Sequence, residues 1–121
     1  MKSYRELIVW QKARKLVSLI YICVQKLPRN EQYVLSDQLR RASISIVSNI
    51  AEGYQRQTTK EYIQFLYMSY GSCSELETQL LLCLDLNFLK QDELSEAFKL
   101  LEEIEKMLNA MITKLKQNPK P

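Results

Sequence analysis

Residues 39–56 read LRRASISIVSNIAEGYQR, from Leu39 to Arg56. Ser43, Ile44, Ser45 and Ile46 alternate polar and apolar as a half-buried strand would. Leu35, Leu39, Ala42, Ile46, Asn49, Ile50 and Gly53 meanwhile recur at helical steps. The helical pattern is much the longer of the two, so the stretch is expected to lie in a helix spanning about residues 31–54. Its β-branched residues lower intrinsic helix propensity by a few tenths of a kcal/mol each (~0.3), so packing must supply the difference.

The same period recurs on both sides. Trp10, Ala13, Val17, Ile20, Val24 and Leu27 alternate steps of three and four, predicting a helix over about residues 6–27 that Pro28 ends. Thr58, with Glu61 three residues on, has the form of a capping box opening a third helix, residues 58–87. Its buried face is expected to be Tyr62, Phe65, Leu66, Ser69, Cys73, Leu76, Leu80 and Leu84. Leu94, Ala97, Phe98, Leu101, Ile104, Leu108, Met111 and Leu115 mark a fourth over 91–117, which the tail NPKP stops. Four helices on short connections place neighbours antiparallel, so the expected fold is all-α, an up-down-up-down four-helix bundle forming one domain over residues 1–121.

Composition agrees. The 121 residues are 46% apolar and 26% charged, with two glycines and three prolines, too few for a turn-rich β protein. Cys23, Cys73 and Cys83 are an odd number with no C-x-x-C spacing and are expected to be reduced packing residues. Polar residues interrupt every apolar run before the ~18 residues of a membrane span, and the N-terminus lacks a leader pattern. A cytoplasmic protein with no membrane contact is expected.

Catalytic chemistry finds little support. There is no histidine, which removes the commonest general base and nitrogen ligand. Glu75 and Glu77 lie two apart, hence on different helix faces, so no metal site is expected. Ser43, Ser45, Ser48, Ser69, Ser72 and Ser74 have no triad partners and read as small hydroxyls at helix contacts. No phosphate-binding glycine motif occurs. The expectation is a non-enzyme without catalytic residues, cofactor or metal.

Charge is unevenly placed. Residues 1–60 hold eleven bases and four acids, net +7, whereas residues 61–121 hold six bases and ten acids, net −4. Such a split points to a polyanion or to a complementary copy of the chain. Lys12, Lys15 and Lys26 on the first helix, with Arg40, Arg41, Arg56 and Lys60 around the second, are the candidate nucleic-acid contacts. They would neutralise phosphates without reading sequence. Tyr4, Tyr54 and Tyr62 are candidates for stacking on bases. Leu19 and Ile22 share the first helix's basic stripe and are candidates for an oligomer interface.

Trp10, Asn49, Glu52, Gly53, Gly71, Glu75 and Glu77 are expected to set packing and register. The helical positions permit Glu52 to pair with Arg56 at i+4, or Asn49 to pair with a residue of another helix. Gly71, costing about 1 kcal/mol relative to alanine inside a helix, is expected where another helix comes close.

The stretches LIVWQKARKLV, LRRASISIVSNIAEGYQR, EYIQFLYMSYGSCSELETQL and the LNFL connection together resemble bacterial proteins encoded in intervening sequences of 23S ribosomal RNA genes, also called S23 ribosomal proteins. The likeness runs from about Tyr4 to Leu115. It implies an up-down four-helix bundle, a ring-like homopentamer with a basic surface, and a non-enzymatic role in binding RNA or DNA. The accessory factor of diversity-generating retroelements is a further relative. The alternative role is an adaptor whose basic stripe docks an acidic or nucleic-acid-bound partner enzyme such as a reverse transcriptase.

Overall fold

The structure, a computed structural model, describes residues 3–31 and 34–118. Four helices carry the chain: α1 (Ile8–Val24), α2 (Leu35–Tyr54), α3 (Thr59–Asp85) and α4 (Gln91–Gln117). Each helix packs on its neighbours in sequence, and α1 closes the ring against α4, as an up-down-up-down bundle requires. LRRASISIVSNIAEGY is helical to Tyr54, with no strand among the described residues.

Boundaries depart from expectation on one side of the bundle. A 3-10 turn, Tyr4–Glu6, precedes α1, and the Ser3 hydroxyl caps it by accepting the Arg5 N–H at 3.1 Å. After Val24 two further turns, Lys26 N–H to Cys23 C=O and Leu27 N–H to Val24 C=O, carry Leu27 into the core. The second helix begins later than residue 31, because a 3-10 turn occupies Arg29–Glu31. Gln32 and Tyr33, inside the expected range of that helix, lie outside the described residues, as do Pro119, Lys120 and Pro121 of the NPKP tail.

The other junctions follow local chemistry. Thr58 Oγ1 accepts the Glu61 N–H at 3.2 Å and donates to the Glu61 carboxylate at 2.9 Å, so half of the capping box forms and its second half is rerouted through the hydroxyl. At α4, Glu93 accepts the Lys90 backbone N–H at 2.9 Å; lysine has no acceptor with which to return the bond. Between α3 and α4, Asn87 takes a left-handed φ of 60°. The Phe88 N–H reaches Cys83 C=O and the Asn87 N–H reaches Leu84 C=O, the Schellman pattern that closes a helix. Asparagine tolerates this φ better than most residues, which gives LNFL its role as a turn.

The core runs the length of the bundle through Leu16, Ile20, Leu39, Ile46, Leu66, Leu76, Leu80, Leu101, Ile104 and Leu108, all fully buried. On α1 the buried stripe is Val9, Ala13, Leu16, Ile20 and Cys23 with Val24. It is rotated from the expected one, which leaves Trp10 and Val17 half-buried at its edge. That rotation puts Trp10 at the α1–α2 seam.

α2 packs most extensively on α3. An alanine Cβ at Gly53 would stand 2.7 Å from Phe65 Cβ, so glycine is what allows this crossing. Ser69 donates to Ile46 C=O at 2.8 Å across the interface, and Ser45 bonds Ser72 at 2.9 Å. Asn49 donates to Ser45 C=O and Oγ at 2.8 and 3.0 Å, bonding its own helix rather than another; its link to α3 passes through Ser45. Ser43 bonds back to Arg40 C=O at 2.9 Å. Glu52 pairs with Arg56 at 2.9 Å.

Gly71 corrects its expectation. Among the described residues nothing lies within 4 Å of where its Cβ would be, so it does not mark a close crossing of α3 with another helix. Glu75 is exposed, and Glu77 is half-buried near Glu105. Burial first, then Glu77 and Glu102, raise the Glu105 carboxyl above its ordinary value.

Candidate nucleic-acid interface

The cations of the N-terminal half do not gather on one face. Lys12 meets Glu103 at 2.7 Å and Lys26 meets Glu93 at 3.2 Å, so α4 supplies carboxylates to the stripe on α1. A hydrogen bond from Lys12 lowers the Glu103 carboxyl, and the Lys90 N–H, then Lys26, lower that of Glu93. Arg56 is held by Glu52 and stands over the Phe65 ring at 4.5 Å. The charge split seen along the sequence is in part cancelled across α1 and α4.

Lys15, Arg40, Arg41 and Lys60 have no carboxylate within ion-pair distance among the described residues. Arg14, which sequence reasoning did not single out, shares that state. Arg14 and Arg40 stand at the α1–α2 seam, and Arg41 follows Arg40 on α2 as an exposed residue. Arg14 lies over Trp10 at 5.4 Å, and Arg40 lies over Tyr21 at 5.9 Å across the seam. Tyr4 packs edge-on to Trp10 with centroids 5.4 Å apart. Tyr4, Trp10 and Arg14 face Val47, Ser48 and Ala51 of α2 around an open depression of about 260 Å³.

The local sequence explains this trough. Trp10, Arg14 and Tyr21 follow steps of four and seven on α1 and so share one face. α2 answers with the short side chains Ser48 and Ala51 where the ring is largest. Trp10, expected as a packing residue, therefore belongs to this surface as well as to the core edge, and Tyr21 was missed. The signal available in the sequence was the i, i+4 spacing of Trp10 and Arg14; what hid it was ignorance of which α2 residues stand opposite.

At one end of the bundle Tyr54 and Tyr62 meet edge-on at 6.1 Å, in a cleft with Arg56, Thr58 and Leu115. Burial, then Tyr54, push the Tyr62 phenol up to about 12, which keeps it neutral and a hydrogen-bond donor. Cys73 and Cys83 are pushed up to about 12 and about 11, by burial first, so neither thiol is a nucleophile at neutral pH. The described residues contain no group of three or more potential metal ligands, and no helix among them is long and apolar enough to cross a membrane.

A second surface is apolar. Between Tyr62 and Leu84 the only charged residues are Glu75 and Glu77. On this helix Met68 and Leu82 are 51% and 43% exposed, Leu86 just past its end is 55% exposed, Gly71 is open, and the exposed Glu75 lies between Met68 and Leu82 on the same face. Of the expected interface pair, Ile22 is 56% exposed, whereas Leu19 packs partly against the core.

Residues 5–110 match the profile of the 23S rRNA-intervening sequence protein family. The fold is similar to a crystal structure of a protein of unknown function from the S23 ribosomal protein family of Bacteroides thetaiotaomicron VPI-5482. The two share 27% identity at a TM-score of 0.80, over 87% of this chain and 98% of that one. No curated protein matches.

Proposed function

This chain belongs to the 23S rRNA-intervening sequence protein family, and on that premise we propose that it is a non-enzymatic, cytoplasmic homo-oligomer that binds RNA or DNA through its α1–α2 face. The observation that carries the reading is the pair of guanidinium groups at the α1–α2 seam, Arg14 and Arg40, with the exposed Arg41 beside them in the α2 sequence, none of which a carboxylate of the described residues neutralises. Three uncompensated cations on two adjacent helices of a small bundle give an attraction to phosphates that does not depend on base sequence. Lys15 and Lys60 add to the same field, while Lys12, Lys26 and Arg56 contribute less because each already has an acidic partner.

Self-association accounts for the apolar outer face of α3 and for Ile22. A helix that is greasy on its outer side is one that another surface covers. A ring of five copies is the assembly the family resemblance implies. Light scattering that gives a 14.3 kDa particle at micromolar concentration would overturn the oligomer.

The test of binding is a salt series with structured RNA and with DNA. Affinity is expected to fall steeply with salt, and Arg40→Gln and Arg41→Gln are each expected to reduce the slope of log K against log salt by about 1. Binding indifferent to salt, or absent at low salt, would refute the reading.

A second reading, an adaptor for a partner enzyme such as the reverse transcriptase of a diversity-generating retroelement, draws on the α3 face. A defined partner retained after nuclease treatment, and lost on Met68→Glu, would favour it.

A further inference from the structure

We propose that the depression on the α1–α2 seam receives an unpaired base, so that this protein prefers single-stranded nucleic acid, or a loop, over duplex. The inference rests on the nucleic-acid reading above and names the form of the ligand. A basic face alone binds any polyanion; what distinguishes this one is the aromatic lining between its cations. Trp10 and Tyr4 meet at 64° and form the α1 side of the hollow, Arg14 its rim, and Val47, Ser48 and Ala51 the α2 side.

At about 260 Å³ the hollow is open to solvent and below the range of drug-sized pockets, ~300 Å³ and upward, so it suits one planar ring rather than a large ligand. Nucleobases stack on aromatic faces and on guanidinium planes; Arg14 already lies over the Trp10 ring, so a base entering the hollow meets that pair at its rim. In a duplex those faces are occupied by neighbouring bases and are not available.

The rest of the seam is spaced to match. Tyr21 lies seven residues beyond Arg14, two helical turns or about 10 Å along α1 on the same face. It is 41% exposed and carries the Arg40 guanidinium across from α2. A strand lying along the seam therefore meets the Trp10 ring with its cation and, eleven residues or about three turns further along α1, the Tyr21 ring with its own. Arg41 follows directly on Arg40. Asp37, the nearest acid preceding them on α2, makes no ion pair with either. Neither aromatic–guanidinium pair is fully buried, and both guanidinium groups remain at the surface, although Trp10 also packs against the core edge.

Trp10 is the only tryptophan, so its fluorescence reports on the hollow alone. The full chain is titrated with three probes of equal phosphate count: a dodecamer of uridine, a blunt-ended RNA duplex without a loop, and inorganic polyphosphate. The expected result is quenching of Trp10 by the single strand, with affinity 5- to 100-fold above the duplex and little quenching by polyphosphate. Ser48→Leu fills the hollow from an exposed position of α2. It is expected to lower single-strand affinity at least 5-fold while leaving polyphosphate binding, its salt slope and the melting temperature unchanged.

Blunt duplex and single strand binding equally with no change at Trp10 would overturn the stacking site while leaving a phosphate-binding face intact. The same holds if Ser48→Leu binds single strands like the wild type. No binding of any probe at low salt would overturn both this inference and the nucleic-acid reading.

Discussion

The two glycines test the packing account in opposite directions. At Gly53 an added methyl would sit 2.7 Å from Phe65 Cβ and 3.4 Å from Tyr62 C=O, against an ordinary carbon contact of ~3.5–4.0 Å. Phe65 Cβ is fixed to the α3 backbone, so relief requires the helices to part by about 1 Å rather than a rotamer change. Overpacking of this kind costs about 1–3 kcal/mol. The gain in helix propensity offsets at most ~1 kcal/mol, and less near a helix end such as this one. Gly53→Ala is therefore expected to destabilise the chain by about 1–2 kcal/mol, a fall in Tm of roughly 3–8 °C at this size.

At Gly71 the methyl meets nothing, and Gly71→Ala is expected to stabilise the isolated chain by about 0.5–1 kcal/mol. Urea unfolding followed by circular dichroism, at protein concentrations where light scattering reports monomer, measures both. A Gly53→Ala variant as stable as the parent would refute the close α2–α3 crossing. The reasoning about Gly71 would fail if its alanine variant lost monomer stability. If a second copy covers α3, Gly71→Ala is also expected to weaken assembly while strengthening the monomer, which scattering at higher concentration reads directly.

Further outcomes follow from side-chain environments. Glu93 and Glu103 have carboxyls lowered by Lys90, Lys26 and Lys12, so their contribution is present above the ordinary carboxylate value and lost as pH falls through the lower folded values. Thermal melts between pH 6 and 3 (about the carboxylate range) should show that loss, and Glu103→Gln should flatten it. Glu105 runs the other way: its raised carboxyl makes the charged form unfavourable in the fold, so Glu105→Gln is expected to raise Tm at neutral pH, more at low salt. Cys73 and Cys83, raised to about 12 and about 11, should resist thiol reagents near neutral pH at a rate set by unfolding. Above the ordinary thiol value near 9 the unfolded chain ionises first, so stability should fall as pH rises further.

Hydropathy period, the Thr58 cap, the LNFL turn and the scarcity of glycine and proline were enough to place four helices and their order, because each is a local property read over a few residues. The i, i+4 pairing of Glu52 with Arg56 and the close fit at Gly53 also lay within reach. What no local reading supplied is which residues of different helices stand opposite one another. Asn49 turned to its own helix because Ser45 lay one turn back. Gly71 turned out to face open space. Lys12 and Lys26 lost their net charge to Glu103 and Glu93 of α4, far away in the chain. Arg14, Trp10 and Tyr21 became a surface only when α2 set Arg40, Ser48 and Ala51 beside them.

The sequence by itself thus determined the four helices, their order and the bundle, since those depend on propensity and period, while the starts of α1 and α2 fell elsewhere because 3-10 turns take up Tyr4–Glu6 and Arg29–Glu31. Only the tertiary structure decided which charges survive uncompensated and where an aromatic hollow opens, because both depend on the register between helices, which the sequence of either helix does not contain.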